Sequence, residues 1–127
     1  MSGSLFQTGE FTLSSGDQSK WKIECDQLSE DDWYTLAYMS YTLLTPFCLA
    51  IGVPTGGCIF AKKLNLFAND HGPIIICDDV TTTGESMNIM KDKLIALGIN
   101  QIKGVTVFAR KPVDKWIIPL FQFYQKV

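Results

Sequence analysis

The chain has 127 residues, 46% hydrophobic and 19% charged, and its 11 basic and 13 acidic side chains leave a net charge of −2. That is one domain's worth of chain, 1–127, with residues enough for a core and no sign of disorder. The charge balance lacks the basic footprint of a nucleic-acid binder; the longest mostly apolar run, Leu43 to Val53, is broken by Thr45 and Pro46 and is too short to span a membrane; and Met1-Ser2-Gly3-Ser4 does not read as a secretory signal.

The first predicted element is a β-hairpin. Phe11 to Leu13 and Trp21 to Cys25 are short apolar stretches joined by the turn formers Ser14-Ser15-Gly16-Asp17. A helix start follows. Ser29 is an N-cap residue, Asp32 stands three positions on in a variant of the capping box, and Glu30 and Asp31 favour the positive helix end. Trp33, Leu36, Ala37, Leu43 and Leu44 supply an approximate helical stripe, which Pro46 ends.

Strand-like and helix-like segments then alternate. Cys48 to Val53 is an apolar run ending in Gly52-Val53-Pro54-Thr55-Gly56-Gly57, ahead of a helical stretch from about Cys58 to Leu66. Ile74 to Cys77 is a second apolar run, ending in Asp78, Asp79 and a Thr/Gly loop. The helix after it runs to about Leu97, with Gly98 as its stop. Ile102 to Ala109 is a third run, rich in β-branched residues. This alternation predicts an α/β fold with right-handed crossovers and a parallel sheet. Ligands bind such sheets beyond the carboxyl ends of the strands, where both polar loops fall. No internal repeat or interdomain linker is visible.

Ile74 to Ser86, IIICDDVTTTGES, carries the chemistry. Three isoleucines suit a buried strand, whereas two adjacent carboxylates at its end do not suit a core; burying either unpaired costs several kcal/mol. They are expected to face a cleft, a cation or hydroxyl donors. In a regular strand they point to opposite faces; a turn beginning there lets them converge. Thr81-Thr82-Thr83-Gly84-Glu85-Ser86 then opens a helix, whose exposed N–H groups make an anion site. Hydroxyls of Thr82, Thr83 and Ser86 add donors, and Gly84 permits close backbone approach. Acceptors beside donors suit a ligand with sugar hydroxyls at one end and phosphate at the other. Helix capping alone explains the threonines but not the paired acids.

This run closely resembles the phosphoribosyl-pyrophosphate signature of type I phosphoribosyltransferases: hydrophobic residues, two acids, then a threonine-glycine loop ending in Ser or Thr. The resemblance implies a Rossmann-like parallel sheet flanked by helices. It implies that Asp78 and Asp79 hold the ribose hydroxyls, and that Thr81, Thr82, Thr83, Gly84, Glu85 and Ser86 hold the 5′-phosphate. Val53, Pro54, Thr55, Gly56 and Gly57 look like the family's pyrophosphate loop, with Thr55 where many relatives carry a basic residue. Phe11, Leu13, Ser15, Gly16, Ser19, Trp21 and Glu24 resemble the start of orotate phosphoribosyltransferases, with Ser14 where many have lysine. Ala109-Arg110-Lys111-Pro112 and Trp116-Ile117-Ile118-Pro119 resemble the C-terminal run of purine-type relatives, where an aromatic can stack on the base; as residues, Trp116, Phe121, Phe123 and Tyr124 suit core or dimer contacts.

The chain departs from the family at one place. Only Phe67 to Pro73 join Leu66 to Ile74, where relatives have a further strand and a long mobile loop, so the fold is expected in truncated form. In orotate enzymes that loop carries a catalytic lysine. Asn69-Asp70-His71-Gly72 echoes it with Asn69 at the lysine position, and His71 reads as a loop residue first. Lys62, Lys63, Arg110 and Lys111 are the candidate replacement cations. Solvated surface charge is the favoured reading for Lys62 and Lys63, and Arg110, just after a strand, is the better catalytic candidate. Cys25, Cys48, Cys58 and Cys77 have no C-x-x-C spacing, and with one histidine, His71, they do not suggest a zinc site; Cys48, Cys58 and Cys77 sit among apolar residues and read as buried reduced thiols.

The family reaction displaces pyrophosphate from ribose C1 with a nitrogenous base. The resemblance therefore implies a cytoplasmic homodimer that takes phosphoribosyl pyrophosphate and a nucleobase, an orotate-like pyrimidine before a purine. Mg²⁺ would be held through the pyrophosphate rather than by a protein site, with no nucleic-acid or membrane partner. The alternative is a non-catalytic nucleotide or phosphoribosyl-pyrophosphate binding module.

Overall fold

The computed structural model describes residues 3–13 and 15–124. Ser14, the turn residue at the relatives' lysine position, and the first two residues lie outside them. Strands β1 (Phe6–Thr12) and β2 (Gln18–Ile23) pair antiparallel, Phe6 opposite Ile23 and Thr12 opposite Gln18. The turn is closed by Leu13 N–H to Asp17 O and Gly16 N–H to Leu13 O, both 2.8 Å. β1 begins five residues before the predicted Phe11. Its alternation was hidden because it buries little; the backbone ladder and Phe6, packed edge-on against Phe108 and Phe123, hold it.

Helix α1 (Glu30–Leu43) starts on the predicted capping box: Asp32 N–H donates to Ser29 Oγ at 3.1 Å and Ser29 N–H to Asp32 Oδ2 at 2.8 Å. It buries Trp33, Leu36, Ala37 and Ser40. Leu43, predicted on that stripe, is instead 59% exposed. The inward position one turn before Leu44 belongs to Ser40, whose hydroxyl donates to Leu36 O at 2.9 Å.

A four-stranded parallel sheet follows, in the order β3 (Leu49–Gly52), β4 (Ile74–Thr81), β5 (Ile102–Ala109), β6 (Ile117–Gln122). Helix α2 (Gly57–Leu64) joins β3 to β4 and α3 (Glu85–Ala96) joins β4 to β5. Ile75 and Cys77 face one core with Phe60 and Leu64 of α2 and Trp33, Leu36 and Ala37 of α1. Ile76 faces the other, with Met87, Met90 and Leu94 of α3 and Val113 and Trp116 of the β5–β6 connection.

That division corrects the expectation of uniformly right-handed crossovers. β3 to β4 and β4 to β5 step the same way across the sheet, yet their helices lie on opposite faces. The β3–α2–β4 unit therefore has the hand opposite to β4–α3–β5. The general preference for one hand is outweighed here by docking of α2 on α1, which buries Phe60, Ala61 and Leu64 and adds the Lys63–Glu30 pair at 2.7 Å.

With β4 on its other side, β3 is an edge strand. The Asn65 side chain, in the turn after α2, covers that edge: Ala50 N–H donates to Asn65 Oδ1 at 2.8 Å, and Asn65 Nδ2 donates back to Ala50 O at 2.9 Å. One side-chain amide thus mimics a neighbouring strand. Cys77 is a buried free thiol as expected, Cys25 is buried as well, and Cys48 is half-buried. Cys58 is exposed instead, because the first turn of α2 turns it away from Phe60, Ala61 and Leu64. Among the described residues no helix is long and apolar enough to cross a membrane.

Candidate functional site

Both glycine-containing loops leave the carboxyl ends of adjacent strands, as expected, but the acids sit differently. β4 runs on through Asp78, Asp79 and Val80 to Thr81 rather than ending at Cys77. Pairing with β5 sustains it: Asp78 lies beside Thr106 and Thr81 beside Ala109. Asp78 lines a small cleft of about 70 Å³ with the Thr81–Ser86 loop and Ser15 from the hairpin turn. Asp79 lines another, about 250 Å³, with Thr12, Lys22, Thr82 and Arg110. The two carboxyl groups still act on one another, since the Asp79 carboxyl helps to raise the Asp78 pKa. Asp79 N–H donates to Asp78 Oδ1 at 2.9 Å and Val80 N–H to Asp79 Oδ1 at 2.7 Å. Burial, and after it the Asp79 carboxyl, pushes the Asp78 pKa up to about 8.

Val53 and Gly57 anchor the first loop: Val53 N–H donates to Cys77 O at 2.9 Å, and Gly57 N–H to Val53 O at 2.8 Å. Pro54, Thr55 and Gly56 stand exposed, and the Pro54–Thr55 peptide is cis. Among the described residues the N–H groups of Thr55 and Gly56 have no acceptor. The glycines are needed for close approach. A Cβ on Gly56 would collide with the Asp79 carboxylate, and one on Gly57 would lie 2.5 Å from Cys77 O. The loop and Asp79 are therefore in direct contact.

In the second loop Gly84 caps α3 with φ +78°, a left-handed conformation that glycine adopts without strain. Glu85 N–H donates to Thr83 Oγ1 at 3.3 Å. The amides of Thr82, Thr83 and Gly84 have no acceptor among the described residues. Thr83, Glu85 and Ser86 are exposed and Thr82 is half-buried. Thr81 touches the cleft but its hydroxyl is spent: it donates to Thr106 Oγ1 at 2.8 Å and is buried.

Arg110 comes from the far end of β5 and is gripped by the hairpin. Its Nη2 donates to Ser19 Oγ at 2.6 Å and to Trp21 O at 3.0 Å, and the guanidinium lies 3.7 Å over the Trp21 ring. Burial lowers its pKa from the ordinary arginine value, but guanidinium keeps its proton. The hairpin residues Ser15, Ser19 and Trp21 thus meet the sheet at the acids. The other candidate cations stand elsewhere. Lys63 is bound to Glu30, Lys62 is exposed on α2, and Lys111 pairs with Asp17 at 3.6 Å. His71 is an exposed loop residue with Nδ1 2.9 Å from Asp70. Trp116 lies over Gly104 in the α3-side core, and Phe121 and Phe123 pack with Phe108.

Sequence reasoning missed Lys22 and Cys25. Lys22 lines the Asp79 cleft while paired with Glu24 at 3.0 Å. Cys25 lies beneath Asp79; burial first, and then the Asp79 charge, pushes its thiol pKa up. An ambiguous two-residue alternation in Trp21-Lys22-Ile23 was the one signal for Lys22, and nothing local marked Cys25. Among the described residues no group of three or more His, Cys, Asp or Glu side chains is arranged to hold a metal ion.

No protein-family model and no curated protein matches the chain. Solved structures do. Orotate phosphoribosyltransferase from Aeropyrum pernix superposes with a TM-score of 0.72 at 20% identity, covering 93% of this chain and 88% of that one. Mycobacterium tuberculosis orotate phosphoribosyltransferase in complex with 5-phospho-alpha-D-ribosyl 1-diphosphate gives 0.68 at 13%, covering 89% and 86%. Purine phosphoribosyltransferase from Pyrococcus horikoshii gives 0.56 at 21%, covering 71% and 82%. The chain therefore has the type I phosphoribosyltransferase fold, a parallel sheet flanked by helices with an antiparallel hairpin.

Proposed function

We propose that the protein is a phosphoribosyltransferase, taking phosphoribosyl pyrophosphate and transferring its phosphoribosyl group to a nucleobase. One observation carries this: two loops with unsatisfied amides leave the carboxyl ends of adjacent parallel strands, one against Asp79 and the other lining a cleft with Asp78. The solved orotate and purine phosphoribosyltransferases of the same fold support it, one of them as a phosphoribosyl-pyrophosphate complex.

In this assignment Asp78 and Asp79 accept the ribose hydroxyls. Thr82, Thr83, Gly84, Glu85 and Ser86 surround the 5′-phosphate, with Thr81 bracing the loop through Thr106. Pyrophosphate lies against Val53 to Gly57. Displacement at ribose C1 passes through an oxocarbenium-like state, so catalysis consists of positioning and charge stabilisation. The acids hold the ring, and the loop amides hold both anionic ends. Arg110, fixed by Ser19 and Trp21, supplies positive charge beside Asp79 on the acceptor side. That favours an acceptor with anionic character, an orotate-like pyrimidine before a purine. When bound, Mg²⁺ neutralises the leaving pyrophosphate. The donor set fits an ion carried in by pyrophosphate, with Asp79 already against the pyrophosphate loop. We place the protein in the cytoplasm as a homodimer; a fully active monomer in sedimentation would refute the dimer.

A second function, binding without turnover, is favoured by Thr55 in the pyrophosphate loop and by the Asn65-sealed edge where relatives continue with a strand and mobile loop. Calorimetric titration with phosphoribosyl pyrophosphate and Mg²⁺, then a pyrophosphate-release screen over nucleobases, separates the two. Binding with release for at least one base is expected. Binding with none would refute transfer, and no binding would refute the pocket.

A further inference from the structure

Asn88 occupies the first turn of α3, four residues beyond Gly84. Its backbone N–H and its side-chain Nδ2 both donate to Gly84 O, each at 3.0 Å. Nδ2 also donates to Asp114 Oδ2 at 3.1 Å, and Oδ1 accepts from Trp116 Nε1 at 3.3 Å. The partners dictate how the amide is turned. An indole N–H only donates and a carboxylate only accepts, so Oδ1 must face Trp116 and Nδ2 must face Asp114. Trp116 is itself fixed: its ring lies so close over Gly104 that a Cβ there would stand 2.8 Å from it, and Lys91 Nζ sits 4.5 Å from the ring centroid.

The Gly84 carbonyl shares a rigid peptide plane with the Glu85 N–H, which donates to Thr83 Oγ1 at 3.3 Å and so ties the Thr83 hydroxyl to that plane. Pinning one edge of that plane sets where the other points, and Gly84 at φ +78° has no side chain to resist rotation. We infer that Asn88, latched by Asp114 and Trp116 of the β5–β6 connection, is a positioning residue that presets the 82–86 loop for a phosphate monoester. The inference rests on the phosphoribosyl pocket proposed above. It adds a link from the loop to the connection after β5, outside the ligand's reach.

The test compares the two anion loops in one protein. Wild type, Asn88→Ala, Asn88→Asp and Trp116→Phe are titrated calorimetrically with ribose 5-phosphate and, separately, with Mg²⁺-pyrophosphate. Asn88→Ala is expected to weaken ribose 5-phosphate about 10-fold, the worth of one or two hydrogen bonds, with pyrophosphate unchanged within about 2-fold. Trp116→Phe, which keeps a ring but loses the donor, should fall between, at about 3-fold. Asn88→Asp should be worse than Asn88→Ala at pH 8, because its carboxylate faces Asp114 and Gly84 O, and should recover as the pH falls toward 5. A purely structural role would weaken both ligands alike, and that result overturns the inference. So does unchanged ribose 5-phosphate affinity in Asn88→Ala or, if that variant does not fold, in Trp116→Phe and Asn88→Asp. If wild type binds neither ligand, the pocket proposal fails first and takes this one with it.

Discussion

Replacing Asp78 with asparagine should stabilise the protein in a pH-dependent way while removing its ligand. The side chain keeps its shape, and its Oδ1 still accepts from Asp79 N–H, as at 2.9 Å now. What changes is the charge. The Asp78 pKa rises on folding from 3.8 to about 8, so the native state binds a proton more tightly than the unfolded chain. Below pH 4 both states are protonated and the group costs nothing. As pH rises from 4 to 8 the unfolded chain ionises first, and wild type loses stability across that window. At about 1.4 kcal/mol per unit the ceiling is about 6 kcal/mol. Asp78 is half-buried on an open cleft, and solvent screening reduces this to about 1–3 kcal/mol. Thermal melts of wild type and Asp78→Asn at pH 4 and pH 8.5 should therefore differ little at the lower pH. At the higher pH they should separate by about 4–12 °C in the variant's favour. Ribose 5-phosphate should no longer bind. An equal gain at both pH values, or no gain at pH 8.5, refutes the electrostatic account of the pair.

Three further outcomes test other parts of the site. Gly56→Ala puts a methyl group into the Asp79 carboxylate and should weaken pyrophosphate binding by at least about 10-fold, measured by titration, with the fold intact by circular dichroism. Arg110→Lys loses the guanidinium's paired contacts to Ser19 and Trp21. It should lower kcat/KM for the acceptor base more than for phosphoribosyl pyrophosphate; equal effects on both would remove Arg110 from the acceptor side. Asn65→Ala unmasks the edge of β3 and leaves Ala50 N–H and C=O without partners. It should cost about 1–3 kcal/mol in urea unfolding, and an unchanged midpoint would show that the amide does not seal the strand.

What could be read in the sequence was local. The Ser29–Asp32 capping box, the two strand-loop-helix junctions and the stop at Gly98 each depend on residues within a few positions of one another, and each is found. The cleft of the Thr81–Ser86 loop, with Asp78 at its side, falls within the stretch IIICDDVTTTGES that the residue pattern singles out. What escaped depends on distance along the chain. The grip of the hairpin on Arg110 joins residues 91 positions apart. The extension of β4 through its acids comes from pairing with β5, and the commitment of the Thr81 hydroxyl comes from Thr106, also on β5. Cys58 and Leu43 were misplaced for a smaller reason: an apolar neighbourhood in sequence does not say which side of a helix faces water.

The opposed hands of the two crossovers make one edge of the sheet a growth point. A strand inserted between Phe67 and Pro73 would find β3 as its neighbour once the Asn65 amide swung aside. Reaching it from β3 through α2 reverses the direction of travel across the sheet while the helix stays on its face. That step would take the same hand as β4–α3–β5. The return to β4 would pass over the other face, again with that hand. A longer chain of uniform hand and this short one of mixed hand are thus separated by a single insertion. Neither glycine-containing loop nor any of β4, β5 and β6 lies on that path, so an added strand would change the hand of the crossover and leave the order β3-β4-β5-β6 as it is.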